Sequence, residues 1–223
     1  MTTLLDCVEV VFNPTNQPID RSVIWLHGLG ANGHDFEPIV PELGLDGTHG
    51  IRFVFPNAPS IPVTINGGYL MPAWYDILEM SLERKIDTAQ IEQSANAIVA
   101  LIEREIARGT MPEHIVIAGF SQGGAVAYQT ALTYDKPLAG LLPLSTYIAT
   151  KDSLIPHPAN QNIATSIHHG KQDNVVPEIL GQQAVAWLKQ HGNTPEYYTY
   201  PMAHQVCPPQ LKLIGQWLNK VLA

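Results

Sequence analysis

Residues 115–127 read IVIAGFSQGGAVA, and no other stretch narrows the possible folds so far. A short β-branched run meets Gly119-x-Ser121-x-Gly123, and small residues that can pack as a helix follow. The five-residue pattern alone is unspecific, and its flanks give it content. A serine so placed sits on a sharp strand-to-helix turn with its hydroxyl clear of the sheet edge, the form of a nucleophile elbow. The flanking glycines suit a cramped turn with little room for a Cβ. The start of the next helix points backbone N–H groups at whatever the serine attacks.

Strand and helix signals alternate through the rest of the chain. Strands are predicted at 5–12, 22–26, 51–55, 114–118, 138–144, 163–168 and 196–200, most of them short apolar runs. Residues 13–20, with Pro14 and Pro18, read as a turn. A short helix interrupted by Pro41 is expected at 36–43. The clearest helix spans 87–108. Asp87 can cap it with Gln90 in the reciprocal position, and Ile91, Ala95, Ile98, Ile102 and Ile106 share one face. Gly109 ends it and Pro112 follows. Further helices run from the elbow to Tyr134 and from 177 to 191, and a last one starts after Pro208 and Pro209, where Leu211, Ile214, Leu218, Val221 and Leu222 form an amphipathic stripe. Such alternation implies an α/β fold, a mostly parallel central sheet with helices on both faces. Nothing divides the 223 residues, so 1–223 reads as a single domain. Residues 56–76 carry four prolines (Pro56, Pro59, Pro62 and Pro72) and read as a long irregular loop, a length more often functional than a spacer.

Bulk properties exclude several classes. Hydrophobic content of 45% with 14% charged residues suits a chain with a large core. The net charge of −8 and the lack of a basic run argue against nucleic acid as a partner. Acidic charge also disfavours electrostatic binding to anionic membranes. No window reaches eighteen apolar residues, so no stable membrane insertion is expected. The first residues show no basic segment followed by an apolar run, so a cytoplasmic protein is the expectation. Cys7 and Cys207 lie at opposite ends of the chain and read as reduced thiols.

A serine hydroxyl is a weak nucleophile until a base takes its proton. The base needs a carboxylate to fix its tautomer, and in sheets of this type the chain order is Ser, then Asp or Glu, then His. Asp173 lies in a loop after the predicted strand 163–168. Asp152, after the preceding strand, is the rival carboxylate. His204 follows the last strand and precedes the last helix, which makes it the candidate base. His27-Gly28-Leu29-Gly30 follows an early strand, where the backbone N–H of Leu29 can join that of Gln122 in holding an oxyanion. His27 reads as a residue that orders this loop. Met71, Trp74, Tyr75 and Met202 line a substrate cleft or simply pack under the long loop. His168-His169 faces opposite sides of a strand, and no other spacing supports a metal. The glycines at 28 and 30 do not complete a dinucleotide motif, because His34 stands where the third would be.

Together these blocks resemble the phospholipase/carboxylesterase family, which includes acyl-protein thioesterases. The resemblance rests on His27-Gly28-Leu29-Gly30, on Gly119 to Gly124, on His169-Gly170-x-x-Asp173-x-x-Val176-Pro177 and on His204. Residues 63–69 and 71–76 are similar to its bacterial carboxylesterase branch. The likeness runs from about Ser22 to the C-terminus. It implies an α/β-hydrolase fold without a large lid domain, a triad of Ser121, Asp173 and His204, and oxyanion donors at Leu29 and Gln122. It also implies short- to medium-chain ester or thioester substrates, no cofactor, and often a homodimer. Gln205 departs from the acidic residue often found after the histidine, and 155–162 looks variable; both bear on substrate choice. The reading that follows is a serine carboxylesterase whose substrate contacts include Gly28, Met71, Trp74 and Met202. The runner-up is an acyl-protein thioesterase or lysophospholipase. The rival from another class is a non-catalytic binding module on the same scaffold.

Overall fold

Alternate side chains of β2 (Ile19–Leu26) leave the sheet on opposite faces, and both faces are apolar. Val23 and Trp25 enter one core cluster, while Ile24 and Leu26 enter the other. A strand buried on both sides needs helices above and below it. The computed structural model, which describes residues 4–79 and 84–223, supplies them. On the Ile24 face pack α1 (Thr88–Ala107), α2 (Gln122–Thr133) and α3 (Glu178–Gln190). On the Val23 face pack α4 (Pro208–Val221) and a 3-10 helix at Glu37–Leu43. Each large side chain buried this way contributes roughly 1.5–3 kcal/mol.

The main sheet has seven strands in the order β1 (Cys7–Phe12), β3 (Gly50–Pro56), β2, β8 (Ile115–Phe120), β9 (Gly140–Leu144), β10 (Ser166–Gly170) and β11 (Glu196–Tyr200). β1 runs antiparallel to β3, and the remaining pairs are parallel. The mostly parallel α/β architecture expected from the sequence is therefore the one observed. Parallel strands gather their carboxyl-terminal loops at one edge, where sites in such sheets form.

The predicted elements are present, with shifted ends. β2 starts at Ile19, three residues before the predicted start, so the turn after Asn13 is shorter. β10 runs to Gly170 and takes in His169. α4 contains both Pro208 and Pro209, because its first turn has N–H groups to spare. Asp87 caps α1 by accepting the Gln90 N–H at 3.0 Å, but Gln90 does not reciprocate. Its side-chain oxygen accepts the Asp76 N–H at 2.7 Å and ties the long loop to the helix.

That loop is not irregular. β4 (Ser60–Val63) and β5 (Tyr69–Pro72) form an antiparallel hairpin around a 3-10 turn at Thr64–Asn66. Pro62 and Pro72 sit in this two-stranded ribbon with free edges, where a missing N–H costs little, while Pro56 ends β3 and Pro59 lies just before β4. The Asp76 carboxylate accepts from Thr64 N–H at 2.7 Å and Thr64 Oγ1 at 2.6 Å, pinning the turn. Two short strands follow, β6 (Ile77–Glu79) and β7 (Lys85–Ile86).

His168 in β10 is fully buried. It contacts Ser166 Oγ at 3.0 Å and the Tyr200 hydroxyl at 2.8 Å, and its ring stacks on Tyr200. Burial pushes its pKa down to about 3. The unfolded chain therefore binds the extra proton between about 6.5 and 3, so this contribution to stability is complete above 6.5 and declines as pH falls. Urea unfolding should show stability lower at pH 4.5 than at pH 7.5, by about 2–3 kcal/mol from this group. His168→Phe should flatten that slope, and an unchanged slope would contradict the assignment.

Candidate active site

Ser121 sits between β8 and α2 with φ +53° and ψ −119°, a backbone conformation few non-glycine residues adopt. The turn closes because its neighbours lack side chains. A Cβ on Gly119 would lie 2.4 Å from the Gly123 carbonyl oxygen, and one on Gly123 would lie 2.4 Å from that of His27. The strained peptide is held by the Ser121 N–H donating to Leu144 O at 2.9 Å. Thr146 Oγ1 donates to Ser121 O at 2.6 Å. The hydroxyl stands at the carboxyl edge of the sheet, as the elbow pattern predicts.

Three side chains far apart in sequence meet there. Ser121 Oγ lies 2.9 Å from His204 Nε2, and His204 Nδ1 lies 2.6 Å from Asp173 Oδ2. A carboxylate only accepts, so Nδ1 carries the proton and Nε2 is free to receive that of the serine. The other Asp173 oxygen accepts the N–H groups of Val175 at 2.9 Å and Val176 at 2.8 Å. Burial pushes the Asp173 carboxyl up. The hydrogen bonds from His204, Val176 and Val175 and the electrostatic attraction to His204 outweigh it, holding the pKa below the ordinary carboxylate value. The Phe120 ring lies 4.7 Å from the His204 ring and backs it.

The loop after β2 comes beside the serine. A Cβ added at Gly28 would lie 3.3 Å from Phe120 Cδ1 and 3.5 Å from the Cβ of Ser121, so the loop runs alongside the elbow. Among the described residues, neither the Leu29 N–H nor the Gln122 N–H has a protein acceptor. Both residues line the cavity at Ser121, so two donors are open to a ligand. The loop is fixed from behind. His27 Nδ1 donates to Gly28 O at 2.7 Å, and His27 Nε2 accepts the Ala58 N–H at 3.1 Å. Burial lowers the His27 pKa, which suits a neutral ring using both nitrogens to hold backbone.

The Gln122 side chain is a functional feature that sequence reasoning missed. Its Oε1 accepts the Trp74 N–H at 2.8 Å, and its Nε2 donates to Tyr75 O at 2.6 Å. The residue directly after Ser121, whose own N–H is left without a protein acceptor among the described residues, thus also clamps the loop above it. A glutamine directly after the serine is visible in the sequence, but its partners 48 and 47 positions away are not. Gln122→Leu should lower stability by roughly 2–4 kcal/mol, because two buried backbone groups lose their partners. Urea denaturation checks this; a loss under 1 kcal/mol would show that the clamp is dispensable.

A cavity of about 70 Å³ opens beside Ser121, walled by Leu29, Ile65, Tyr75, Ile77, Tyr147 and Val176 among others. It is apolar, with the Tyr75 and Tyr147 hydroxyls 3.1 Å apart in its wall. The residues named from sequence as substrate contacts are placed otherwise. Trp74 is buried, its indole N–H donating to His27 O at 2.9 Å, and it borders a separate groove beside Gln90 and Ser94. Met71 lies in β5 with Asn66 Nδ2 3.2 Å from its sulfur. Met202 is buried at the loop after β11, its carbonyl accepting the Gln172 N–H. None of these three walls the cavity, nor does Gly28, although it lies beside Ser121. Asp152 borders a different cavity, beyond Tyr147.

Comparison with known proteins identifies the family. The phospholipase/carboxylesterase family model matches residues 6–222. The carboxylesterase SOBER1 of Arabidopsis thaliana is 35% identical over 205 residues, covering 90% of each chain. Acyl-protein thioesterase 1 of Saccharomyces cerevisiae is 36% identical over 216 residues, 93% of this chain and 95% of that one. The crystal structure of SOBER1 superposes with a TM-score of 0.84 at 32% identity, covering 91% of this chain and 99% of that one. That of Zea mays acyl-protein thioesterase 2 does so with 0.81 at 27% identity, covering 97% and 99%. A model match over nearly the whole chain and a shared sheet leave one assignment: the chain belongs to the phospholipase/carboxylesterase family, serine hydrolases of the α/β-hydrolase fold.

Proposed function

We propose that the chain is a serine carboxylesterase for short- to medium-chain acyl esters, with Ser121, His204 and Asp173 as its triad. The observation that carries this reading is the unbroken contact from Ser121 Oγ through the His204 ring to Asp173. Ser121 attacks the acyl carbonyl as His204 Nε2 takes its proton. The Leu29 and Gln122 N–H groups hold the oxyanion, each donor of this kind stabilising the transition state by about 3 kcal/mol. His204 then protonates the leaving alcohol, and the acyl group stays on Ser121 until water, activated by the same imidazole, releases it. Asp173 remains ionised and keeps the Nδ1 proton in place.

The small apolar chamber beside Ser121 supports a short acyl chain. A second reading, hydrolysis of acyl thioesters on protein cysteines, is favoured by relatives named acyl-protein thioesterase 1 in Saccharomyces cerevisiae and Gibberella zeae. A thiol leaves without needing a different site, so both share one machinery. The experiment is kcat/KM for p-nitrophenyl esters of rising chain length beside the matching acyl thioesters. A maximum at short oxo-esters is expected. A maximum at long chains, or thioesters preferred at every length, would move the assignment to the second reading.

A further inference from the structure

His169 is the penultimate residue of β10 and is fully buried. Its neighbour His168 turns to Ser166 and Tyr200, whereas His169 points at the loop that carries Asp173. His169 Nε2 lies 2.8 Å from Val176 O and 3.8 Å from Asp173 Oδ2. A carbonyl only accepts, so Nε2 bears the proton and Nδ1 is bare. Nδ1 faces α3 at Gly181, where a Cβ would come within 2.6 Å of it. The ring is therefore wedged between the helix and the Asp173 loop. Burial lowers its pKa against the raising effects of Val176 and Asp173, so it is neutral at neutral pH.

We propose that His169 is a positioning residue that fixes the 173–177 turn through the Val176 carbonyl and so holds Asp173 in register with His204. Val176 is tied on both sides: its C=O accepts from His169, and its N–H donates to Asp173 Oδ1. Val175 N–H donates to the same oxygen. With Oδ1 engaged by the turn, Oδ2 is left for His204. Without the His169 bond, the Asp173 N–H, donating to Gly170 O at 3.3 Å, still ties the start of the turn to β10, but the Val176 end is released, so the carboxylate is free to rotate away from the imidazole.

This inference rests on Asp173 being the acid of the triad, so Asp173→Asn is assayed in parallel. The readouts are kcat, KM and the far-downfield proton resonance of the Nδ1–H shared by His204 and Asp173. His169→Leu should lower kcat by about 10²-fold, the scale expected for ångström-sized misplacement, with KM little changed and that resonance lost. His169→Gln, whose amide can still donate to Val176 O, should restore most of the kcat and the resonance. A folded His169→Leu protein with wild-type kcat and resonance overturns the inference, as does a folded His169→Gln protein as impaired as the leucine variant. Should His169→Leu not fold, Gly181→Ala decides, since its Cβ presses on Nδ1: lowered kcat and a shifted resonance support the inference, and no change in either overturns it. If Asp173→Asn keeps its activity, the triad reading itself falls. If that variant is inactive while His169→Leu is not, only the inference falls.

Discussion

Ser121→Ala is expected to abolish hydrolysis of p-nitrophenyl butyrate, with a loss on the order of 10⁶-fold in kcat. The fold should survive. Among the described residues the Ser121 hydroxyl has one partner, His204, while the strained turn is held through backbone groups that alanine retains. The stability change should stay near ~1 kcal/mol, the scale of the one hydrogen bond removed. Thermal unfolding checks that the variant is native before its activity is read. Undiminished turnover in a folded Ser121→Ala protein would reject the assignment of the nucleophile.

Asp173→Asn should lower kcat by about 10⁴-fold at neutral pH. The cause is a tautomer error that the loop itself enforces. Val175 and Val176 N–H both donate to Oδ1, so in the variant the amide oxygen would occupy that position and the NH₂ would face His204. A donor opposite Nδ1 drives the imidazole proton to Nε2, where it can no longer accept from the serine. The variant also loses an acid-dependent part of stability. The folded Asp173 pKa lies below its unfolded value, so its contribution is present above the unfolded value and lost as pH falls through the folded one. Turnover within tenfold of wild type would show that another group orients His204.

Local signals made much of this molecule readable in advance. β-branched runs fixed β2 and β8, and isoleucines at helical spacing fixed α1, because burial on one or two faces writes itself into the pattern. Loops after successive parallel strands open at the same edge, so the order Ser121, Asp173, His204 anticipated a meeting that the hydrogen bonds display. The rest depends on partners distant in sequence. Prolines in 56–76 concealed a hairpin, since a free edge tolerates them. Met71, Trp74 and Met202 looked like cleft residues because they are large and apolar, yet that property serves core packing equally well. Which surface Trp74 covers is decided by its bonds to His27 and Gln122, and no spacing announces those. The wall of the cavity instead comes from Ile65, Ile77, Tyr147 and Val176, each beside a turn whose direction is a tertiary fact.

Peptide mapping after treatment with a fluorophosphonate reads the activated hydroxyl directly. One adduct, on Ser121, is predicted for the native protein, and it should be lost when His204 is replaced by alanine. Labelling at another residue, or a native protein left unlabelled, would contradict a serine made nucleophilic by its histidine.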